Sequence, residues 1–271
     1  MHRFPDGKIR VTVGPASPTA IIYAPLDRPN DKLLAILFAA EALRRNGAER
    51  LVLVAPYLCY MRQDIDFHAG EAISQKVIGQ LLAGTVDRVI TVDAHLHRTK
   101  DIQSVFKGIE AVDLSAMPAI ADALRAARLD PKTVVVGPDA ESGPWVSDLA
   151  GRLGTPHAVA RKTRRSDRTV DITFSDPGLF AGRPVLLVDD IVASGGTLIA
   201  CAKVLAAAGA ASVDAVITHA LFPSEMIGDF SRAGIRSIQS TNSVPHPSNA
   251  IRLDEILAGA LRKEVDPGPT S

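Results

Sequence analysis

Short runs of consecutive apolar residues alternate along this chain with longer stretches whose apolar positions recur every three or four residues. The first kind predicts strands at Ile21–Ala24, Leu51–Ala55, Arg88–Val92, Thr133–Gly137, Val185–Asp189 and Val213–Thr218. Each run is nearly continuous, as a parallel strand covered on both faces requires. The second kind predicts helices over Asp31–Asn46, Glu71–Ala83, Ala116–Arg128, Gly143–Leu153, Thr197–Ala208 and Ser248–Leu261. Asn30 or Asp31 would cap the first of these and Gly47 would stop it. Such alternation calls for an α/β protein, its sheets mostly parallel and flanked by helices. The strands fall into a group before about Asp113 and a group after about Lys132, so two domains are expected, 1–114 and 115–271.

Composition narrows the class. A chain of 271 residues buries a core without a disulfide or metal staple. Its 30 Lys and Arg balance 30 Asp and Glu, which argues against nucleic acid or a membrane surface as partner. Cys59 and Cys201 stand far apart and outside any C-x-x-C, which points to a reducing compartment. No apolar run approaches the roughly 18 residues of a membrane span. Met1 to Arg10 also lacks the apolar stretch of a secretion signal, so a cytoplasmic protein is expected.

The densest chemistry lies in Val185-Leu-Leu-Val-Asp-Asp-Ile-Val-Ala-Ser-Gly-Gly-Thr197. A buried strand would deliver Asp189 and Asp190 to its C-terminal edge, where open α/β sheets place ligands. Ser194, Gly195, Gly196 and Thr197 then turn into a helix whose first N–H groups converge on one spot, an anion site. Carboxylates for hydroxyls beside a cradle for phosphate suit a sugar phosphate. The plainer reading, a tight turn with an acidic N-cap, accounts for less of the string.

This string resembles the phosphoribosyl-pyrophosphate (PRPP) loop shared by type I phosphoribosyltransferases and ribose-phosphate pyrophosphokinases. The first half resembles the pyrophosphokinases alone. The matching pieces are Phe4-Pro5-Asp6-Gly7, the segment Pro56 to Asp64 with Arg62-Gln63-Asp64, Thr91-Val-Asp-Ala-His95, Gly137-Pro138-Asp139 and Thr218-His219. The resemblance runs from Phe4 to about Pro245, and Pro138 to Ser142 is more similar to the shorter archaeal-type branch.

It implies two phosphoribosyltransferase-like domains, one for ATP and one for ribose 5-phosphate, and a transfer that gives PRPP and AMP. By the resemblance, Phe4, Asp6, Arg62, Gln63, Asp64 and His95 serve ATP, and Asp189, Asp190, Ser194, Gly195, Gly196 and Thr197 serve ribose 5-phosphate. His95 and Asp139 bind Mg²⁺, with Asp189 and Asp190 on ribose hydroxyls or a second metal. Lys162 and Arg164, within the basic run Arg161 to Arg168, act on the transferred group. Phe4 reaching a neighbour's adenine site implies a homo-oligomer.

Three departures accompany the likeness: about one βα unit is missing ahead of Phe4, Lys8 stands where an acid is usual, and Ala193 replaces a common loop acid. Two further readings use the same residues differently. A phosphoribosyltransferase would need the PRPP loop but not Arg62, Gln63 and His95. A non-catalytic subunit would have no reason to keep Lys162 and Arg164.

Overall fold

The structure is a computed structural model that describes residues 1–164 and 170–265. The chain forms two compact units, Met1–Leu114 together with Asp254–Ser271, and Ser115–Leu253.

The first unit opens with a small antiparallel pair, β1 (His2–Arg3) and β2 (Ile9–Arg10), which holds the Phe4–Gly7 turn between them. There follow β3 (Thr19–Tyr23), α1 (Pro29–Arg45), β4 (Arg50–Ala55), α2 (Ser74–Ala83), β5 (Arg88–Val92), the single-turn α3 (Ile102–Val105) and β6 (Glu110–Leu114). The four longer strands pair in parallel in the order β3-β4-β5-β6. The sequential crossovers put α1, α2 and α3 on one face of this sheet. There Leu33, Ile36, Ile78, Leu82 and Ile102 close on Leu51, Leu53, Val89 and Phe106.

The second unit comprises α4 (Met117–Ala126), β7 (Val134–Gly137), α5 (Gly143–Leu153), β8 (His157–Val159), β9 (Arg161–Arg164) and β10 (Val170–Thr173). It continues with β11 (Pro184–Val192), α6 (Gly196–Ala207), β12 (Ser212–Ala220), α7 (Met226–Arg232), β13 (Ile235–Thr241) and β14 (Asn249–Ile251). Six strands form one parallel sheet, β14-β13-β12-β11-β7-β8, while β9 and β10 make a separate antiparallel hairpin. On one face Val134, Val136, Val185, Leu187, Ala215 and Ile217 meet Leu198, Cys201, Ala202 and Leu205 of α6. The chain winds outward from β7 to β8 in one direction and from β11 to β14 in the other. The strand order therefore reverses between β7 and β11, a topological switch point.

The α/β class and parallel sheets match the expectation, and the differences have local causes. A final helix, α8 (Asp254–Val265), belongs to the first unit and not to a 115–271 domain. Glu264 binds Arg50 at 2.5 Å and Arg88 at 2.7 Å, and Lys263 pairs with Glu110. The predicted helix Ser248–Leu261 is instead β14 followed by α8, because Asn249 is tied to β13 through Ser240 and Thr241. Neither Asn30 nor Asp31 caps α1. Pro29 starts that helix, where its missing N–H costs nothing, and Arg28 precedes it at φ 50°.

Candidate functional site

At the switch point, β11 carries Asp189 and Asp190 to its C-terminal end and β7 carries Asp139 to the neighbouring end. Asp190 is buried and accepts the Ile191 N–H at 2.8 Å, while Asp189 accepts the Asp190 N–H at 3.1 Å. Asp139 accepts the Glu141 N–H at 3.2 Å. Burial pushes the Cys201 thiol of α6 up to about 12, and the Asp189 and Asp139 charges add to the rise.

The turn after β11 follows the expected course. Gly195 sits at φ 66° as the residue before α6, and its carbonyl accepts the Ile199 N–H at 3.0 Å. A Cβ there would lie 2.5 Å from the Phe230 ring, so α7 presses the turn into shape and only glycine fits. Ser194 and Gly196 are exposed and Thr197 is half-buried. The first N–H groups of α6 therefore face outward as an anion cradle. Lys162, exposed on β9, donates from Nζ to Thr197 Oγ1 at 3.2 Å. The β9–β10 hairpin thus reaches the cradle. Arg164 ends β9, opposite Val170, and the rest of the basic run, residues 165–168, lies outside the described residues.

In the first unit the loops after β4 and β5 leave one sheet edge, since Ala55 pairs with Thr91. Arg62 is exposed, Gln63 is half-buried and accepts the Ser74 hydroxyl at 2.6 Å, and His95 is half-buried. The His95 and His97 rings stack at 6.4 Å. Asp93 holds the turn at φ 41°, and Asp113, at an exposed position of β6, accepts the Ala94 N–H at 3.0 Å. Partial desolvation raises the Asp113 carboxyl to about 6, against the lowering effect of the Ala94 N–H.

Asp64, expected at the ATP site, is held by Arg98. Its side chain is 2% exposed, and its two oxygens take the Arg98 N–H at 3.1 Å and Arg98 Nη1 at 2.8 Å. Phe4 stands on the β1–β2 tip, 37% exposed, with His2 edge-on and Arg10 over its ring. Lys8 bridges to Asp6 at 2.8 Å, and that hydrogen bond holds the Asp6 carboxyl below its ordinary range.

Mg²⁺ takes few protein ligands and keeps water and phosphate oxygens. Among the described residues no group of three or more His, Cys, Asp or Glu could enclose a metal. A half-buried oxygen donor such as Asp139 fits an ion that arrives on a polyphosphate. The sequence reading missed Phe230, Gln75, Arg98, Thr99 and Asp113. Nothing local marks them, since each acts on a segment distant in sequence.

Comparison with known proteins decides between the families that share this loop. Residues 1–85 match the model of the N-terminal domain of ribose phosphate pyrophosphokinase, and residues 115–230 match the phosphoribosyl transferase domain. A ribose-phosphate pyrophosphokinase of Methanopyrus kandleri is 30% identical over 96% of this chain and 88% of its own length. The chain belongs to the ribose-phosphate pyrophosphokinase family.

Within that family, the Bradyrhizobium diazoefficiens enzyme is 33% identical over 93% of this chain but only 78% of its own. The match to the archaeal length is the fuller one. The phosphoribosylpyrophosphate synthetase of Mycobacterium smegmatis superposes with a TM-score of 0.78 at 25% identity, covering 92% of this chain and 83% of that one. The two units thus have the phosphoribosyltransferase-like fold. This pyrophosphokinase-family chain is an enzyme of PRPP synthesis. No described helix is long and apolar enough to cross a membrane.

Proposed function

We infer that the enzyme transfers the β,γ-diphosphoryl group of Mg-ATP to the anomeric hydroxyl of ribose 5-phosphate, giving PRPP and AMP. One observation carries this reading. A carboxylate pair, a glycine-formed anion cradle and the Lys162 ammonium on Thr197 meet at the second unit's switch point. In this reading the 5-phosphate sits on Ser194 to Thr197, and Asp189 and Asp190 take the ribose hydroxyls. The first unit supplies the nucleotide side through Arg62, Gln63 and His95.

The anomeric oxygen attacks the β-phosphorus, the bond from that phosphorus to the α-phosphate oxygen breaks, and AMP leaves. The hydroxyl proton passes to solvent. Since phosphoryl transfer makes little covalent demand on the protein, these residues act by positioning and by charge. Lys162 and Arg164 stabilise the charge that builds on the bridging oxygens. For Mg²⁺, His95 would serve on the nucleotide side as ligand or as orienter of bound water, and Asp139 would offer an oxygen ligand in the second unit. The ion supplies neutralisation of the polyphosphate charge.

The test is AMP release measured with ATP alone, with ribose 5-phosphate alone and with both. Release that requires both substrates, with one PRPP formed per AMP, supports the reading. Consumption of PRPP on adding a nucleobase, with no use of ATP, would favour a phosphoribosyltransferase.

A further inference from the structure

The loops after β4 and β5 are joined side chain to side chain by two buried groups. Asp64 is the first, with both oxygens on Arg98. Gln75, 5% exposed in the first turn of α2, is the second. Its Nε2 donates to the Met61 carbonyl at 3.1 Å, and its Oε1 accepts the Thr99 hydroxyl at 2.8 Å. The Gln75 N–H also donates to the Gln63 carbonyl at 3.1 Å. Arg98 lies over the exposed Phe67 ring at 5.7 Å, so its guanidinium is steered from two sides.

These bonds bracket the nucleotide segment. Met61 and Asp64 are fixed on either side of Arg62 and Gln63, and Arg98 and Thr99 are fixed just beyond His95. A carboxylate buried this deeply is costly unless paired, so its partner holds it in one place. A flexible loop would lose that order, and the cost would fall on whatever ligand must restore it.

We propose that Asp64, Gln75 and Arg98 are positioning residues, a clamp that sets the Arg62–Gln63 segment and the His95 loop in fixed register before Mg-ATP binds. The proposal rests on the assignment of these loops to the nucleotide. Removing Arg98 would strand Asp64 in its buried site and loosen both loops, while the ribose-phosphate cradle, built in the other unit, keeps its own supports.

Titration calorimetry of the full chain with Mg-ATP alone, and separately with ribose 5-phosphate alone, tests the clamp without turnover. Arg98→Ala and Asp64→Asn are each expected to weaken Mg-ATP at least tenfold and to leave ribose 5-phosphate within twofold. The double variant should cost little more than the worse single one, because the two residues act as a unit. Thr99→Val, at a half-buried position that threatens folding less, should weaken Mg-ATP severalfold, with Thr99→Ser restoring it. Unchanged Mg-ATP affinity, equal loss for both ligands, or additive effects would overturn the clamp. Wild-type protein that binds Mg-ATP but forms no PRPP would refute the reaction while leaving the clamp to be judged by these affinities. Wild-type protein that binds no Mg-ATP would sink both.

Discussion

Lys162 Nζ lies 3.2 Å from Thr197 Oγ1, although the two residues are 35 apart in sequence. The hydrogen bond brings an exposed cation on the β9–β10 hairpin to the rim of the anion cradle. An ammonium in that place is available to a phosphoryl group seated against α6. Lys162→Ala is expected to lower kcat about 10²–10³-fold, the usual cost of losing one transition-state donor. Ribose 5-phosphate affinity should change little. Steady-state kinetics with a separate binding titration checks this, and an unchanged kcat would remove Lys162 from the reaction.

Gly195 cannot be replaced cheaply. It combines a positive φ with a Phe230 ring 2.5 Å from where a Cβ would stand. Gly195→Ala is expected to raise KM for ribose 5-phosphate at least tenfold while KM for Mg-ATP stays near wild type. Equal effects on both constants would mean that the strain spreads beyond the cradle.

Glu264 ties the C-terminal helix to the first sheet. Its side chain is 3% exposed, as is that of Arg88. The hydrogen bond from Arg50, before those from Arg88, holds the Glu264 carboxyl below its ordinary value of 4.5. Breaking a buried pair from one side costs about 3–5 kcal/mol, so Glu264→Ala should lower stability by about that much near neutral pH. A carboxyl with a depressed native value contributes above its unfolded value and loses that contribution as pH falls through the native one. The deficit of the variant should therefore shrink below about pH 4.5, which urea melts across pH read directly.

Asp113 has the opposite sign. Its carboxyl is raised from 3.8 to about 6 by partial desolvation, so the native state holds the proton more tightly than the unfolded chain. Its stabilising protonation is present below pH 3.8 and lost as pH rises through about 6. Asp113→Asn keeps an acceptor for the Ala94 N–H and removes the charge. It is expected to be more stable than wild type above pH 6 and to flatten the pH dependence between 4 and 6. A variant less stable at pH 7.5 would show that the ionised carboxylate is preferred.

What the sequence made legible followed from continuity. Strand β11 is an unbroken apolar run that ends in two acids and two glycines, so strand, site and turn could all be placed. Strand β6 escaped because Glu110 and Asp113 interrupt it, and both acids are used, one on Arg88 and one on the Ala94 N–H. Strand β13 escaped because Arg236, Ser237, Gln239 and Ser240 dilute its apolar positions; Arg236 and Ser237 instead bind Asp214. The pairing of Asp64 escaped for a related reason. Its partner Arg98 is 34 residues away, and a carboxylate turned inward toward a cation has the same sequence signature as one turned toward a ligand.

Supplying ATP labelled at the β-phosphorus together with ribose 5-phosphate, and locating the label after a single turnover, tests the diphosphoryl transfer most directly. The account predicts label in PRPP and none in AMP. Label left in ADP, with a ribose bisphosphate as the other product, would mean attack at the γ-phosphorus and would contradict it.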